Sequence, residues 1–214
     1  MIPHSGFDIE FLKKFRALIL RAVKKGRRFI LVVGGGATCR RYQAAARQVV
    51  TMTNEEVDYL GIKTTVLNAE FVRVLFKDIA HLTVITNPTK KIATRKPIII
   101  AAGWKPGCST DKDAVLLAKT YGAKEVINLS NIDYVYDRDP KKYPQAKKIK
   151  RTSWKEFRKI VGDTWHPGAN VPFDPVAAKE AQRLRLTVKF ARGTDLPAVA
   201  GAIEGMKIRG TIIK

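Results

Sequence analysis

Pro97-Ile98-Ile99-Ile100-Ala101-Ala102-Gly103-Trp104-Lys105-Pro106-Gly107-Cys108-Ser109-Thr110-Asp111 joins an apolar strand to a helix through a short glycine-bearing loop. The run 97–101 is apolar without alternation, the pattern of a strand covered on both faces. Gly103 and Gly107 let the backbone turn and come close to a ligand, and Pro106 stiffens the crossing. Ser109 and Thr110 open a helix: Thr110 with Asp113 predicts a capping box with Asp in place of Glu, Ala114, Leu117, Ala118 and Tyr121 follow at helical spacing, and Gly122 stops it. A helix start gathers unpaired N–H groups at the positive end of the helix dipole, so a phosphate is the natural guest of this loop.

Two further strands run into small polar residues. Phe29-Ile30-Leu31-Val32-Val33 leads to Gly34-Gly35-Gly36, with Thr38, Arg40 and Arg41 behind; Glu125-Val126-Ile127-Asn128-Leu129 leads to Ser130-Asn131-Ile132-Asp133. Strand C-termini in an open parallel sheet share one edge, so the three endings predict one composite site. Elsewhere strands and helices alternate. An amphipathic helix after Asp8 carries Leu12, Phe15, Ile19, Ala22 and Val23 and closes at Gly26. Helices are predicted over 40–50 and 64–76, and a short strand over 82–85. Ser153 caps a helix with Trp154, Phe157 and Ile160, and Asp174-Pro175 starts one with Val176, Ala177, Ala181 and Leu184 before a strand over 186–190. Asp139-Pro140 opens a loop, and 162–172, with Trp165, Pro167 and Gly168, is another. The alternation predicts a parallel α/β protein, and the length of 214 residues with 45% hydrophobic content predicts one domain, 1–214.

No apolar run approaches the ~18 to 20 residues of a membrane span and no signal peptide is evident, which predicts a cytoplasmic protein without membrane partners. Cys39 and Cys108 form no disulfide framework, and His4, His81 and His166 lack metal-ligand spacing, so no metal ligand is directly assignable. Forty Lys and Arg against nineteen Asp and Glu give a net charge of +21. Such a balance favours polyanions. The basic residues are spread along the chain, and the densest stretch, 141–151, has no interleaved aromatic ladder, so it reads first as solvated surface, with non-specific nucleic-acid contact as the alternative.

Val32-Val33-Gly34-Gly35-Gly36 with Arg40 and Tyr42, then 103–111, then Asn131-Ile132-Asp133-Tyr134-Val135-Tyr136-Asp137-Arg138-Asp139-Pro140, resembles the amino acid kinase superfamily, and within it the archaeal-type uridylate kinases. The likeness runs from about Asp8 to Gly210-Thr211-Ile212-Ile213 and takes in Asp174-Pro175. It implies a three-layer α/β/α sandwich with a mainly parallel central sheet, ATP and Mg2+ as cofactors, phosphorylation of UMP to UDP in pyrimidine nucleotide synthesis, and a homohexamer. By the same resemblance, Gly35 and the loop of Trp104, Lys105, Pro106, Gly107, Cys108, Ser109 and Thr110 bind UMP, with Asp58 accepting from its ribose. Gly36, Arg40, Ser130, Asn131, Tyr136 and Asp139 surround ATP. Asp111 is the acid expected to organise the metal and phosphate oxygens.

Plainer readings stand beside these. Asp58 has a second reading as a loop acid, Asp111 as a helix-start acid worth ~0.3 to 1 kcal/mol, Tyr136 as core packing and Asp139 as a turn residue, while Trp104 reads first as a loop-shaping side chain and second as a stacking contact to the base. The resemblance also expects an opening strand and a Gly-Gly-Ser loop before the first helix, whereas this chain reaches its helix directly after Met1-Ile2-Pro3-His4-Ser5-Gly6, so it reads as truncated at its N-terminus relative to the family. Tyr134 stands where many relatives have Gly. Another phosphotransferase of the superfamily, and a nucleotide- or RNA-binding relative without catalysis, are the alternative functions.

Overall fold

Asp8 starts the first helix as the sequence predicts: its carboxylate accepts from Phe11 N at 2.9 Å, and α1 (Ile9–Lys24) buries Leu18, Ile19 and Ala22 before Gly26 turns the chain at φ +83°. The computed structural model describes residues 6–140, 142–164 and 171–214. Met1 to Ser5, Lys141, Trp165, His166, Pro167 and Gly168 lie outside the described residues. Two compact units follow each other along the chain, Met1–Thr120 and Tyr121–Lys214.

In the first unit, β1 (Phe29–Val32) and β2 (Ile98–Ala101) pair in parallel, Phe29 opposite Ile98 and Val32 opposite Ala101. All four residues of β2 are buried, as its unbroken apolar run demands. Between the strands come α2 (Gly36–Val49) and α3 (Asn54–Leu75), and α4 (Thr110–Tyr121) follows β2. Both inter-strand helices begin earlier than predicted. Gly36, at φ +61°, already opens α2. Thr53 and Glu56 form a reciprocal capping box, Thr53 Oγ1 accepting from Glu56 N and Glu56 accepting from Thr53 N, so the helix runs through Gly61 and takes in Asp58. The strand predicted over 82–85 does not form. Ala80 bridges Ile98 and Ile85 bridges Ala101, five steps along one segment against three along the other, so the intervening residues leave the ladder.

In the second unit, β3 (Glu125–Ser130), β6 (Arg151–Thr152), β7 (Thr187–Arg192) and β8 (Gly210–Ile213) form a mixed sheet in the order β3-β7-β8-β6, with β7 and β8 antiparallel. β4 (Val135–Tyr136) and β5 (Lys148–Ile149) make a small antiparallel ribbon. Gly210 is required where β8 meets β7, since a Cβ there would fall 1.9 Å from Phe190 O. Phe157, Phe173 and Phe190 are buried together, with Phe173 and Phe190 edge-to-face at 5.8 Å, and Trp154 Nε1 donates to Leu186 O at 2.8 Å. Lys189, buried in β7, donates to Glu125 Oε2 at 2.8 Å and Ala202 O at 3.0 Å. The caps on α5 (Trp154–Val161) and α6 (Pro175–Arg183) are Ser153 and Asp174, as predicted. The sequence reading missed α7 (Leu196–Glu204), although Asp195 caps it and Pro197 sits in its first turn. Among the described residues no helix is long and apolar enough to cross a membrane.

Candidate active site

The glycine loops of the first unit begin side by side because β1 and β2 are parallel and in register; Val33 N donates to Ala101 O at 2.9 Å just before both loops open. A Cβ on Gly34 would lie 3.7 Å from Thr110 Oγ1, so the first loop faces the start of α4. Gly35 turns tightly onto its own helix, and a Cβ there would come within 2.5 Å of Cys39 Cβ.

One face of α3 holds both loops. Asp58, Thr65 and Asn68 are spaced by seven and three residues, which brings them to one side of a helix. Asp58 Oδ2 accepts from Gly107 N at 2.8 Å, and Thr65 Oγ1 accepts from Gly103 N at 2.8 Å. Buried Asn68 donates through Nδ2 to Gly34 O at 2.9 Å and Gly35 O at 3.0 Å. Thr65 and Asn68 escaped the sequence reading; polar residues inside a long helical pattern were the available signal, since mid-helix Thr and Asn are disfavoured unless they bond elsewhere.

The loop after β2 is also held from its far side. Asp113, fully buried, accepts from Trp104 N at 3.1 Å through Oδ2 and from the Cys108 thiol at 3.1 Å through Oδ1. The predicted Thr110–Asp113 box is therefore corrected: Ser109 caps α4, its Oγ accepting from Lys112 N at 3.2 Å, and Asp113 serves the loop. Cys108 N donates to Lys105 O at 3.1 Å, closing a turn whose Gly107 has φ +72°. The Lys105 ammonium lies 4.3 Å from the Trp104 ring centre, a cation–π contact. Asp111 stands in the first turn of α4, and Arg40 is exposed on α2. Burial pushes the Cys39 thiol up, Arg40 pulls it down and Asp58 adds to the rise; the net result keeps it protonated.

The remaining predicted residues lie in the second unit. Ser130 ends β3, its Oγ 3.4 Å from Asn131 Oδ1, and its carbonyl accepts from Gly193 N at 2.8 Å. Tyr136 is not core: Val135 is the buried member of the pair, and the Tyr136 hydroxyl donates to Asp133 Oδ1 at 3.2 Å. Lys148 Nζ sits 3.6 Å from Asp133 Oδ2 and 5.2 Å from the Tyr134 ring. Partial burial would raise the Asp133 pKa, but its own amide, Lys148, Tyr136 and Arg192 outweigh that and hold it below the usual carboxylate range. Burial and Asp133 together push Tyr136 up, against Lys148 and Arg192. The Asp139 carbonyl accepts from Lys142 N at 3.1 Å and Tyr143 N at 2.9 Å, so its backbone makes the turn read from the sequence.

Glycine turns after parallel strands, fixed by side chains of an intervening helix and followed by a helix start, define an α/β protein equipped to hold phosphates. The amino acid kinase family model matches residues 5–191, and the chain belongs to that family. It is 34% identical to the uridylate kinase of Pyrococcus abyssi, over all of this chain and 95% of that protein, and 31% identical to that of Hyperthermus butylicus, over 94% of this chain and 89% of that one. The crystal structure of uridylate kinase from Archaeoglobus fulgidus superposes with a TM-score of 0.82 at 30% identity, covering 97% of this chain and 94% of that one. UMP kinase from Bacillus anthracis shares the fold, with a TM-score of 0.77 at 20% identity and coverage of 98% and 88%.

Proposed function

We propose that this chain is a uridylate kinase, which moves the γ-phosphoryl group of ATP to a phosphate oxygen of UMP and releases ADP and UDP. The observation that carries the reading is the face of α3 on which Asp58, Thr65 and Asn68 fix the two glycine loops. Phosphoryl transfer asks little covalent chemistry of a protein; it asks that two polyanions be held in position while charge shifts from one to the other.

UMP falls to Gly35 and to residues 104–110. Asp58 keeps Gly107 N–H on Oδ2, and a carboxylate has room for about four such contacts, which leaves capacity for a ribose hydroxyl. The amide-rich start of α4, with Ser109 and Thr110, favours the phosphate of UMP. The Lys105 ammonium, steadied against Trp104, adds positive charge to that loop. Within the first unit, Gly36 and Arg40 are the residues proposed for the phosphates of ATP.

Among the described residues no three His, Cys, Asp or Glu side chains gather as a metal-holding group. Magnesium in phosphoryl transfer is held mainly by substrate phosphates and water with one or two carboxylates, and Asp111, in the first turn of α4, fits that requirement. When bound, the ion neutralises phosphate charge. Self-association belongs to the same reading and is supported by Tyr59, Leu67 and Val74, apolar and exposed along α3; so does a place in the cytoplasm.

The test is ADP release with ATP and magnesium across a panel of acceptors: UMP, CMP, AMP, GMP, carbamate, aspartate and glutamate. UMP as the preferred acceptor is the expected outcome. Preference for another acceptor transfers the assignment to another phosphotransferase of the family, and binding of UMP and ATP without turnover replaces it with a nucleotide-binding role.

A further inference from the structure

We propose that the first unit carries a surface that grips duplex nucleic acid through its phosphates, at the ends of β1 and β2 opposite the glycine loops. Two stretches of the sequence contain no acid: residues 11–54 hold eleven Lys and Arg, and residues 79–110 hold five. The fold joins them at one edge. The Arg28 guanidinium donates to Thr94 O at 2.9 Å and Lys96 O at 3.2 Å, and Phe29 N donates to Pro97 O at 2.8 Å. Because the two strands are parallel, Arg28 and Lys96 both precede the first paired residues, Phe29 and Ile98. The C-terminal end of α1 reaches β1 through this same edge.

Lys24, Lys25, Arg27, Arg28, Arg95 and Lys96 are all exposed there. Asp78 lies beside them: its carbonyl accepts from Lys96 Nζ at 2.8 Å and its carboxylate lies 3.9 Å from Arg16. Six exposed cations from two stretches without acids make a local field far stronger than a surface of mixed charges gives, and fields of that kind draw and hold polyanions. The glycine loops leave the opposite ends of the same strands, about 13 Å away at ~3.3 Å per residue. A bound duplex therefore leaves those loops open.

The chemistry of the surface selects its occupant. Neither 21–28 nor 90–97 exposes a large apolar or aromatic side chain. Single-strand binders stack bases on aromatic rings, and membrane-surface segments insert apolar ones. Lys and Arg alone suit the phosphate rows of a duplex, which they position without reading bases.

The experiment is fluorescence anisotropy on the full chain with a labelled 20-base-pair RNA duplex and a DNA duplex of the same sequence, across 50 to 200 mM KCl. Five to six phosphate contacts predict a log–log salt slope of about −5, so about a thousandfold loss over that range. Reversing four charges, Lys24→Glu, Lys25→Glu, Arg27→Glu and Arg95→Glu, is expected to weaken binding at least about a hundredfold and flatten the slope to about −2. The same reversal at Lys142, Lys150, Lys155 and Lys207 is expected to cost less than about fivefold. Circular dichroism and the urea midpoint establish that each variant is folded; should the fourfold variant unfold, Lys24→Ala with Arg27→Ala is read by its salt slope instead. Binding to both duplexes, or to one of them, supports the surface and says which helical form it fits. Equal weakening by the two charge-reversed variants, tighter binding of a single strand than of its duplex, or preference for phosphatidylserine vesicles overturns it.

Discussion

Replacing Asp113 with Ala removes a buried acceptor that serves both ends of the 104–108 turn. Its carboxylate takes the Trp104 amide and the Cys108 thiol, each at 3.1 Å, and none of the residue is exposed. A hydrogen bond to a charged group contributes about 1.5–3 kcal/mol, and a buried amide left without a partner costs about 1–3 kcal/mol; the thiol is a weak donor and adds little. Relief of carboxylate desolvation offsets part of this. The expected net loss is about 2–3 kcal/mol, or about 5–10 °C in Tm for a chain of this size. Asp113→Asn keeps the shape but turns an NH2 group toward one of two donors, so about half that loss is expected. Because the turn carries the proposed UMP contacts, KM for UMP should rise about tenfold in Asp113→Ala while KM for ATP stays within about twofold. Urea unfolding and initial rates at varied UMP decide it. A variant within about 0.5 kcal/mol of wild type and with unchanged KM for UMP would show that Asp113 does not hold the loop.

Asp111→Asn is expected to lower kcat about a hundredfold with stability changed by less than about 1 kcal/mol, since the group sits in a helix first turn rather than in the core; unaltered kcat leaves it a helix-start acid. Asp58→Ala should raise KM for UMP about tenfold or more yet leave that for 2′-deoxy-UMP less affected, and equal effects on the two substrates would remove the ribose contact. The Asp133 pKa is depressed in the folded chain below its ordinary 3.8, so its stabilising contribution is complete above that value and is lost as pH falls through the folded pKa. Asp133→Asn should therefore show a shallower decline of urea midpoint below pH 4 than wild type, and parallel declines would contradict the sign. Leu67→Glu, on the exposed face of α3, should lower the mass measured by light scattering if α3 takes part in self-association; an unchanged mass puts the contact elsewhere.

The β-strands that carry the loops were legible because each is a short apolar run followed by glycine or small polar residues, and burial on both faces imposes that composition. Caps at Asp8, Ser153 and Asp174 were legible for the same reason: one side chain and one nearby amide decide them, with no distant partner required. What escaped depends on long-range geometry. Asp58 was read beside a loop because Gly61 interrupts the pattern, yet packing of α3 against β2 and the Thr53–Glu56 box carry the helix through it. Asp113 was assigned to its own helix start, where a local partner existed; the buried amide of Trp104, nine residues earlier, won. The segment at 82–85 has strand composition, but composition does not set register, and a two-residue mismatch between its bridges excludes a ladder.

A continuous helix is a stiff rod, and α3 grips one glycine loop at Asp58 and Thr65 and the other at Asn68. Ten residues of helix fix about 15 Å between the outer two grips. The loops cannot draw apart or close on each other by sliding along that rod, so substrate-driven adjustment is confined to the 104–108 turn or to a movement that carries α3 as a whole. A single inserted residue between Asp58 and Thr65 would swing Asp58 about 100° around the axis and release the Gly107 end of its loop while Thr65 still held the Gly103 end. Along this helix, length itself is under constraint, as strictly as the identity of any side chain on it.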